Sequence, residues 1–391
     1  VSTPIRTDEN DTVRIVVDER HTEAFGAVRI SNFQPTVGWT FAYNINAGLI
    51  ATDTDGVNGG VTQVDNFAQL STGAATDSHA QIQTRRGTRY IPGVGAMARF
   101  TAVFTDGVAG STQYIGQIDD SDGWAFGYNG DQFGILKRSG GSDEWIPQAL
   151  WNKDTRPNFD PTHGNVYQIE YRWLGFGAQY FAIEDGRGEL TLVHVIEYSG
   201  RNTETSVANP NLPLTARAEN TTNDTDIVLK TPSAVAGLDG DNLNDAIALT
   251  LATDNLGVTV GAGVETPIIS LRNPATWLGK NNQLFVQALR LSFATDGTKS
   301  AIFRVYANAT VTGGAYSDVA TGLSPIEVNK TMTGISGGVQ IGTYALARID
   351  NISIDLTGSL FKGYPGEEIT ITALSENATE ATVGVAFRQF L

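Results

Sequence analysis

The chain has 391 residues and a mass of 41.7 kDa, enough for two or three domains that each bury a core of their own. Its 42 acidic residues against 26 basic ones leave a formal charge of −16, which repels phosphate backbones and anionic lipid heads and so argues against nucleic acid and membrane as partners. The absence of cysteine excludes disulfides, thiolate metal sites and a cysteine nucleophile, while 43 glycines with abundant Thr, Asn and Asp point to many tight turns between strands.

In chain order, residues 1–85 alternate strand-capable pieces, TVRIVVDER (Thr12 to Arg20) and GWTFAYNI (Gly38 to Ile45), with polar glycine-punctuated stretches such as ATDTDGVNGG. So little apolar surface predicts an extended arm whose strands complete a neighbouring sheet. From Arg86 to Gly240 the period of two is strong. Ala98, Phe100, Ala102 and Phe104 share one side of a strand; Tyr167, Ile169, Tyr171 and Trp173 share a side of another, and Leu190, Leu192, His194, Ile196 and Tyr198 of a third. Half-buried antiparallel strands need a second layer, and with few helix-period segments that layer is expected to be another sheet. Residues 241–280 alternate weakly, with room for a short helix in DGDNLNDAIALTLATDN, and read as a connection. Alternation returns over 281–391, with Phe285, Gln287, Leu289, Leu291 and Phe293 on one face, Asp296-Gly297 as a hairpin turn and Ile352, Ile354 and Leu356 on a later strand. The fold expected is all-β: two consecutive antiparallel, jelly-roll-like β-sandwich domains behind an extended N-terminal arm. No run of about 18 apolar residues and no basic stretch leading into an apolar one occurs, so neither a transmembrane helix nor a signal peptide is expected.

The segment MARFTAVFTDGVAGSTQYIGQIDDSDGWAFGYNGDQFGILKR (Met97 to Arg138) combines an aromatic strand, a Gly-Val-Ala-Gly turn, a second strand and a Gly-Tyr-Asn-Gly hairpin. In this, and in YRWLGFGAQYFAIED, VHVIEYSGRNT and ANPNLPLTARAEN, the chain resembles a family of phage and viral virion structural proteins. Its C-terminal part, through SLRNPATWLGKNNQLFVQALRLSFATDGTKSAIFRVYAN and YPGEEITI, is similar to terminal β-domains of phage tail and fibre proteins. The resemblance implies a lectin-like or laminin-G-like sandwich in a non-catalytic bacteriophage virion protein, a head or tail decoration or fibre subunit exposed on the particle. It also implies assembly in the host cytoplasm, other virion proteins as partners and a homo-oligomer, a trimer being favoured. Two alternatives accompany it: a host-glycan-binding adhesin and an enzyme that degrades envelope polysaccharide.

Residues that could carry chemistry are few. Trp124, Tyr128, Trp145 and Trp151 could form a platform for sugar rings, although core packing accounts for most aromatics in such strands. Arg85, Arg86 and Arg89 form one compact basic cluster, suited to carboxylates across an assembly interface. Asp119, Asp120 and Asp122 in IDDSDG invite calcium, as do Asp239, Asp241 and Asp245, but Trp124 breaks the EF-hand spacing and turn chemistry is favoured. Gly334-Ile335-Ser336-Gly337-Gly338 matches a nucleophile elbow in letters, yet a strand-like run follows where a helix is required. His21, His79, His163 and His194 are too scattered for a zinc site, and His194 reads as a satisfied core residue. A glycosidase needs two carboxylates about 5 to 9.5 Å apart, and nothing singles out a pair among the 42. No catalytic residue, cofactor or metal is expected.

Overall fold

The computed structural model describes residues 33–240 and 246–390 apart from 254–256, 283, 297–299, 349 and 357–361, together with a two-residue pairing of Arg6–Thr7 with Val13–Arg14. Among these there is no α-helix, only a 3-10 turn at Gln148–Leu150, and no helix long and apolar enough to cross a membrane. The chain divides into two units, Val1–Leu243 and Asn244–Leu391, each an antiparallel sandwich.

The first unit carries sixteen strands labelled here. These are β1 (Phe33–Thr40), β2 (Ile50–Thr54), β3 (Gly60–Val64), β4 (Phe67–Ser71), β5 (Ser78–Thr84), β6 (Gly95–Ala102), β7 (Ser111–Ile118) and β8 (Gly123–Asn129). They continue as β9 (Gln132–Ser139), β10 (Ser142–Pro147), β11 (Asn165–Tyr171), β12 (Gln179–Glu184), β13 (Leu190–Ile196), β14 (Leu214–Asn220), β15 (Val228–Thr231) and β16 (Ser233–Asp239). Seven form one sheet in the order β10-β9-β8-β7-β14-β5-β2, six form the opposing sheet in the order β13-β12-β11-β6-β16-β1, and β15-β4-β3 make a small third sheet.

The predicted alternation fills the space between the two large sheets. Phe100, Trp124, Phe126, Tyr167, Tyr171 and Phe181 are all buried there. Tyr167 stacks on Phe100 at 5.7 Å, and Trp124 meets Tyr171 of the opposite sheet at 4.7 Å. Each such ring contributes roughly 1.5–3 kcal/mol through burial, so this aromatic layer alone accounts for a large share of the unit's stabilisation.

The second unit packs β17 (Ala246–Ala252), β26 (Thr379–Phe390), β20 (Phe285–Thr295) and β24 (Asp350–Asp355), in that order, with β18 (Val258–Val260) also on β26. The facing sheet runs Ser317–Asp318, β22 (Glu327–Asn329), β19 (Thr266–Arg272), β25 (Glu368–Ser375), β21 (Ala301–Ala307) and β23 (Val339–Leu346). Its core is smaller and largely aliphatic, with Phe293 and Phe303 in contact at 4.8 Å.

Three boundaries differ from the sequence reading. Residues 33–84 are not an arm: β1 pairs with β16 from Ser233 to Asp239, β5 pairs with β14, and Trp39, Phe41, Ile50, Leu70 and Ile82 enter the core. Their short strands hold too little apolar surface by themselves because partners about 130 to 200 residues downstream supply the rest. TVRIVVDER lies outside the described residues except at Val13–Arg14. The expected connection at 241–280 contributes β17, β18 and β19 to the second sandwich, and the stretch expected to hold a helix is a strand where it is described, because Ala246–Ala252 pairs along β26. Asp296 does not open a hairpin: the strands on either side of it belong to different sheets, and its carboxylate accepts a hydrogen bond from the Glu380 amide at 2.8 Å.

Candidate functional site

Three of the four proposed platform residues face inward. Trp124 is fully buried, Tyr128 and Trp151 nearly so, and burial with the nearby charges of Asp106 and Asp160 pushes the Tyr128 hydroxyl up to about 12. Trp145 is different. It sits on β10 with its side chain on the outer face of the seven-stranded sheet, half-buried.

Cross-strand register defines that outer face. One row reads Asp53, Gln81, Arg217, Tyr114, Gly127, Gly134 and Pro147 across the sheet; the next reads Ala51, Gln83, Thr215, Gly116, Ala125, Leu136 and Trp145. The β2-β5-β14 half is therefore polar and the β7-to-β10 half apolar. Tyr114, Ile118, Ala125 and Leu136 form a small buried cluster of their own, against which Trp145 packs.

Glycine makes this layer flat. A Cβ on Gly127 would lie 2.0 Å from the Gln113 carbonyl oxygen and one on Gly116 2.2 Å from that of Trp124, so the strand spacing requires glycine at both. Because Gly123, Ala125 and Gly127 are the outward residues of β8 between them, Tyr114 of β7 and Arg138 of β9 meet across that strand, the guanidinium 5.5 Å from the ring centre. Burial pushes the Tyr114 hydroxyl up, against the lowering influence of Arg138 and Arg217. Arg138 grips Asp143 with two hydrogen bonds of 2.6 and 2.9 Å, which raises its already high pKa.

On the polar half, Arg217 donates to Glu219 at 2.9 Å and to Gln81 at 3.0 Å. Burial opposes its charge, yet the hydrogen bond and charge of Glu219 outweigh that and its pKa rises. His79 pairs with Asp53 at 3.1 Å, and Gln83 donates to Thr215 at 3.0 Å. Asp143 and Glu219 are thus each held by an arginine, and Asp53 faces the His79 imidazole. Asp143 and Glu219 stand four strands apart, at least about 19 Å at ordinary strand spacing, far outside the roughly 5 to 9.5 Å of a glycosidase pair.

The other expected residues have structural roles. Asp119 accepts the amides of Ser121 and Asp122 at 2.8 and 2.7 Å, closing a turn. Asp122 is buried, and its carboxylate accepts the amides of Gly140, Ala208 and Asn209 at 3.2, 2.9 and 3.1 Å, tying three loops together. Asp239 lies in β16, and Asp241 and Asp245 are outside the described residues. His194 is buried beside Phe181, its Nδ1 accepting the Asn152 amide at 3.2 Å, and burial lowers its pKa. Gly334–Ser336 is a strand followed by a turn with Gly337 and Gly338 in the left-handed region and then β23; the two strands pair with Thr310–Thr312 and β21 in different sheets, so the segment is a turn between sheets, neither the expected glycine-rich hairpin nor an elbow. The three arginines diverge: Arg85 is exposed and donates to the Ala47 carbonyl at 2.7 Å, while Arg86 and Arg89 are half-buried. Arg86 lines a concavity of about 300 Å³ with Leu49 and Val235. A larger one of about 770 Å³ opens between β1 and β2, lined by Trp39, Phe41, Tyr43, Asn44, Asn46 and Leu49. No sequence pattern had marked it.

No family model and no curated protein matches the chain. Among solved structures, one reported with endo-acting O-glycanases of the human gut microbiota is similar over 54% of this chain and 100% of that one, at 13% identity and a TM-score of 0.39. A β-glucanase of Bacillus licheniformis is similar over 52% and 99%, at 11% identity and 0.37, and peanut lectin over 53% and 99%, at 13% identity and 0.35. At these identities and scores the likeness assigns neither ligand nor reaction.

Proposed function

We propose that this is a non-catalytic carbohydrate-binding protein whose first sandwich holds a saccharide against the outer face of the seven-stranded sheet. The observation that carries the reading is Trp145, half-exposed above an apolar layer of Tyr114, Ala125 and Leu136, with the half-face of hydrogen-bonding side chains beginning at β14, four strands away. A pyranose presents an apolar C–H face and a rim of hydroxyls, so an oligosaccharide long enough to run from Trp145 toward β14 would find a partner for each. The fixed ion pairs hold the polar groups in place before ligand arrives, which lowers the cost of ordering them on binding. The test is a glycan array probed with the wild-type chain and Trp145→Ala. Saturable binding lost in the variant supports the reading; binding that ignores the substitution removes it.

A second reading, a component of a phage particle's surface, rests on the sequence resemblance and on one feature of the second sandwich. Its adjacent edge strands β23 and β24 leave Val339, Ile341 and Ile352 exposed at 67%, 41% and 39%, a surface suited to assembly in an oligomer or onto other virion proteins. Immunogold labelling of particles tests it, and particles without label contradict it.

A further inference from the structure

We infer that the saccharide taken by this face is neutral rather than uronate-, sialyl- or sulfate-bearing; the inference rests on the carbohydrate reading above. Recognition of an anionic sugar calls for a guanidinium or ammonium free to form a charge-assisted pair. The strands of the seven-stranded sheet place two such groups on the outer face, Arg138 and Arg217, and each already faces a carboxylate of the same face, as the His79 imidazole faces Asp53.

Arg138 is the most committed. Two of its nitrogens hold Asp143, and the third donates to the Asp119 carbonyl at 2.9 Å and approaches the Tyr114 hydroxyl at 3.4 Å. Arg217 is divided between Glu219 and Gln81. A sugar carboxylate would have to displace Asp143 or Glu219 and then sit beside it, like charge against like. The formal charge of −16 adds a longer-range penalty for polyanions. Arg85, one residue beyond β5, is exposed and turned back onto the Ala47 carbonyl. It lies on the polar side of the face, with Tyr114, Ala125 and Leu136 between it and Trp145 in the strand order.

Neutral partners are well served. Beside the Tyr114 row runs a further outward row of Thr112, Asn129 and Gln132, of which Asn129 and Gln132 are exposed. Amides and hydroxyls of this kind both donate to and accept from sugar hydroxyls without a charge to balance. An extended chain running obliquely from Trp145 over β9 and β8 would meet Trp145 with its C–H faces and this row, two rows further along the strands, with its hydroxyls.

The experiment is a polysaccharide panel, neutral glucans, galactans, mannans and xylans against uronate- and sulfate-bearing polymers, titrated at low and physiological salt with wild type, Trp145→Ala and Asp143→Asn. The expected result is neutral-polymer binding that falls at least tenfold in Trp145→Ala and barely moves with salt. Asp143→Asn, which releases Arg138, is expected to gain acidic-polymer binding. Wild-type binding to acidic polymers that is salt-sensitive and lost in Trp145→Ala overturns the neutral assignment and leaves the carbohydrate reading standing. Binding of no polymer, or binding indifferent to Trp145→Ala, overturns both.

Discussion

The seven-stranded sheet carries two apolar layers, one on each face, and they differ in what covers them. Inside, Trp124, Phe126 and Phe133 meet the opposing sheet through Tyr167, Tyr171 and Phe181. Outside, none of the described sheets packs over Tyr114, Leu136 and Trp145, and the Arg138–Asp143 pair lies beside them. The inner layer is what a sandwich needs in order to fold. The outer layer is smaller, with Tyr114, Ile118, Ala125 and Leu136 buried and Trp145 left half-exposed above them, and that ring is the one the proposed ligand would cover.

The sharpest way to break this contrast is to truncate one ring from each layer. Trp124→Ala should cost about 3–5 kcal/mol, the usual penalty for emptying an aromatic site in a packed core; denaturant unfolding followed by circular dichroism reads it. Trp145→Ala should cost no more than about 1 kcal/mol, as for other surface substitutions, while removing saccharide binding. Comparable losses from the two would mean that Trp145 belongs to the core after all.

Asp122→Asn comes next, because the carboxylate that gathers the Gly140, Ala208 and Asn209 amides would lose its charge inside a buried site. An expected loss of about 2–3 kcal/mol follows from hydrogen bonds to charged groups, and equilibrium unfolding measures it.

The smallest effect is a pH dependence on the inner side. Burial holds the folded-state pKa of His194 below its ordinary value, so the unfolded chain binds the proton more readily. Its contribution to stability is therefore intact above the ordinary histidine range and is lost as pH falls through that range toward the lowered value. Unfolding midpoints of wild type and His194→Gln between about pH 7.5 and pH 5, a window spanning the histidine range, should converge on acidification. Midpoints that stay parallel would contradict it.

Much of the inner layer was legible in the sequence because alternation of apolar residues is local. The faces of Phe100 and Tyr167 follow directly from their neighbours two residues away. Alternation misleads where a bulge intervenes. Phe285 to Phe293 reads as one continuous face, yet the register shifts between Ala288 and Arg290, so that Val286 and Ala288 join Leu291 and Phe293 on the core side. Val193 does the same in β13, entering the core alongside His194. The outer layer was illegible for another reason: Tyr114, Leu136 and Trp145 come from three strands, and only the cross-strand register brings them together. Trp145 was singled out for its residue type alone, in company with three tryptophan and tyrosine residues that the core absorbs. Tyr114 was missed, although it alternates with Gln113 and Ile115 and so had to lie opposite them. The N-terminal strands were misjudged for the same reason at longer range, since β1 finds its partner about 200 residues away.

The account stands or falls on where a saccharide sits. The direct measurement is a titration of the isotopically labelled protein with a neutral oligosaccharide, following the indole N–H signals of the six tryptophans. The outer-face account predicts that the Trp145 signal shifts and saturates with the ligand while Trp124 and Trp151 stay put. A saturating shift of Trp39 instead, with Trp145 unmoved, would place the ligand in the concavity between β1 and β2 and contradict it.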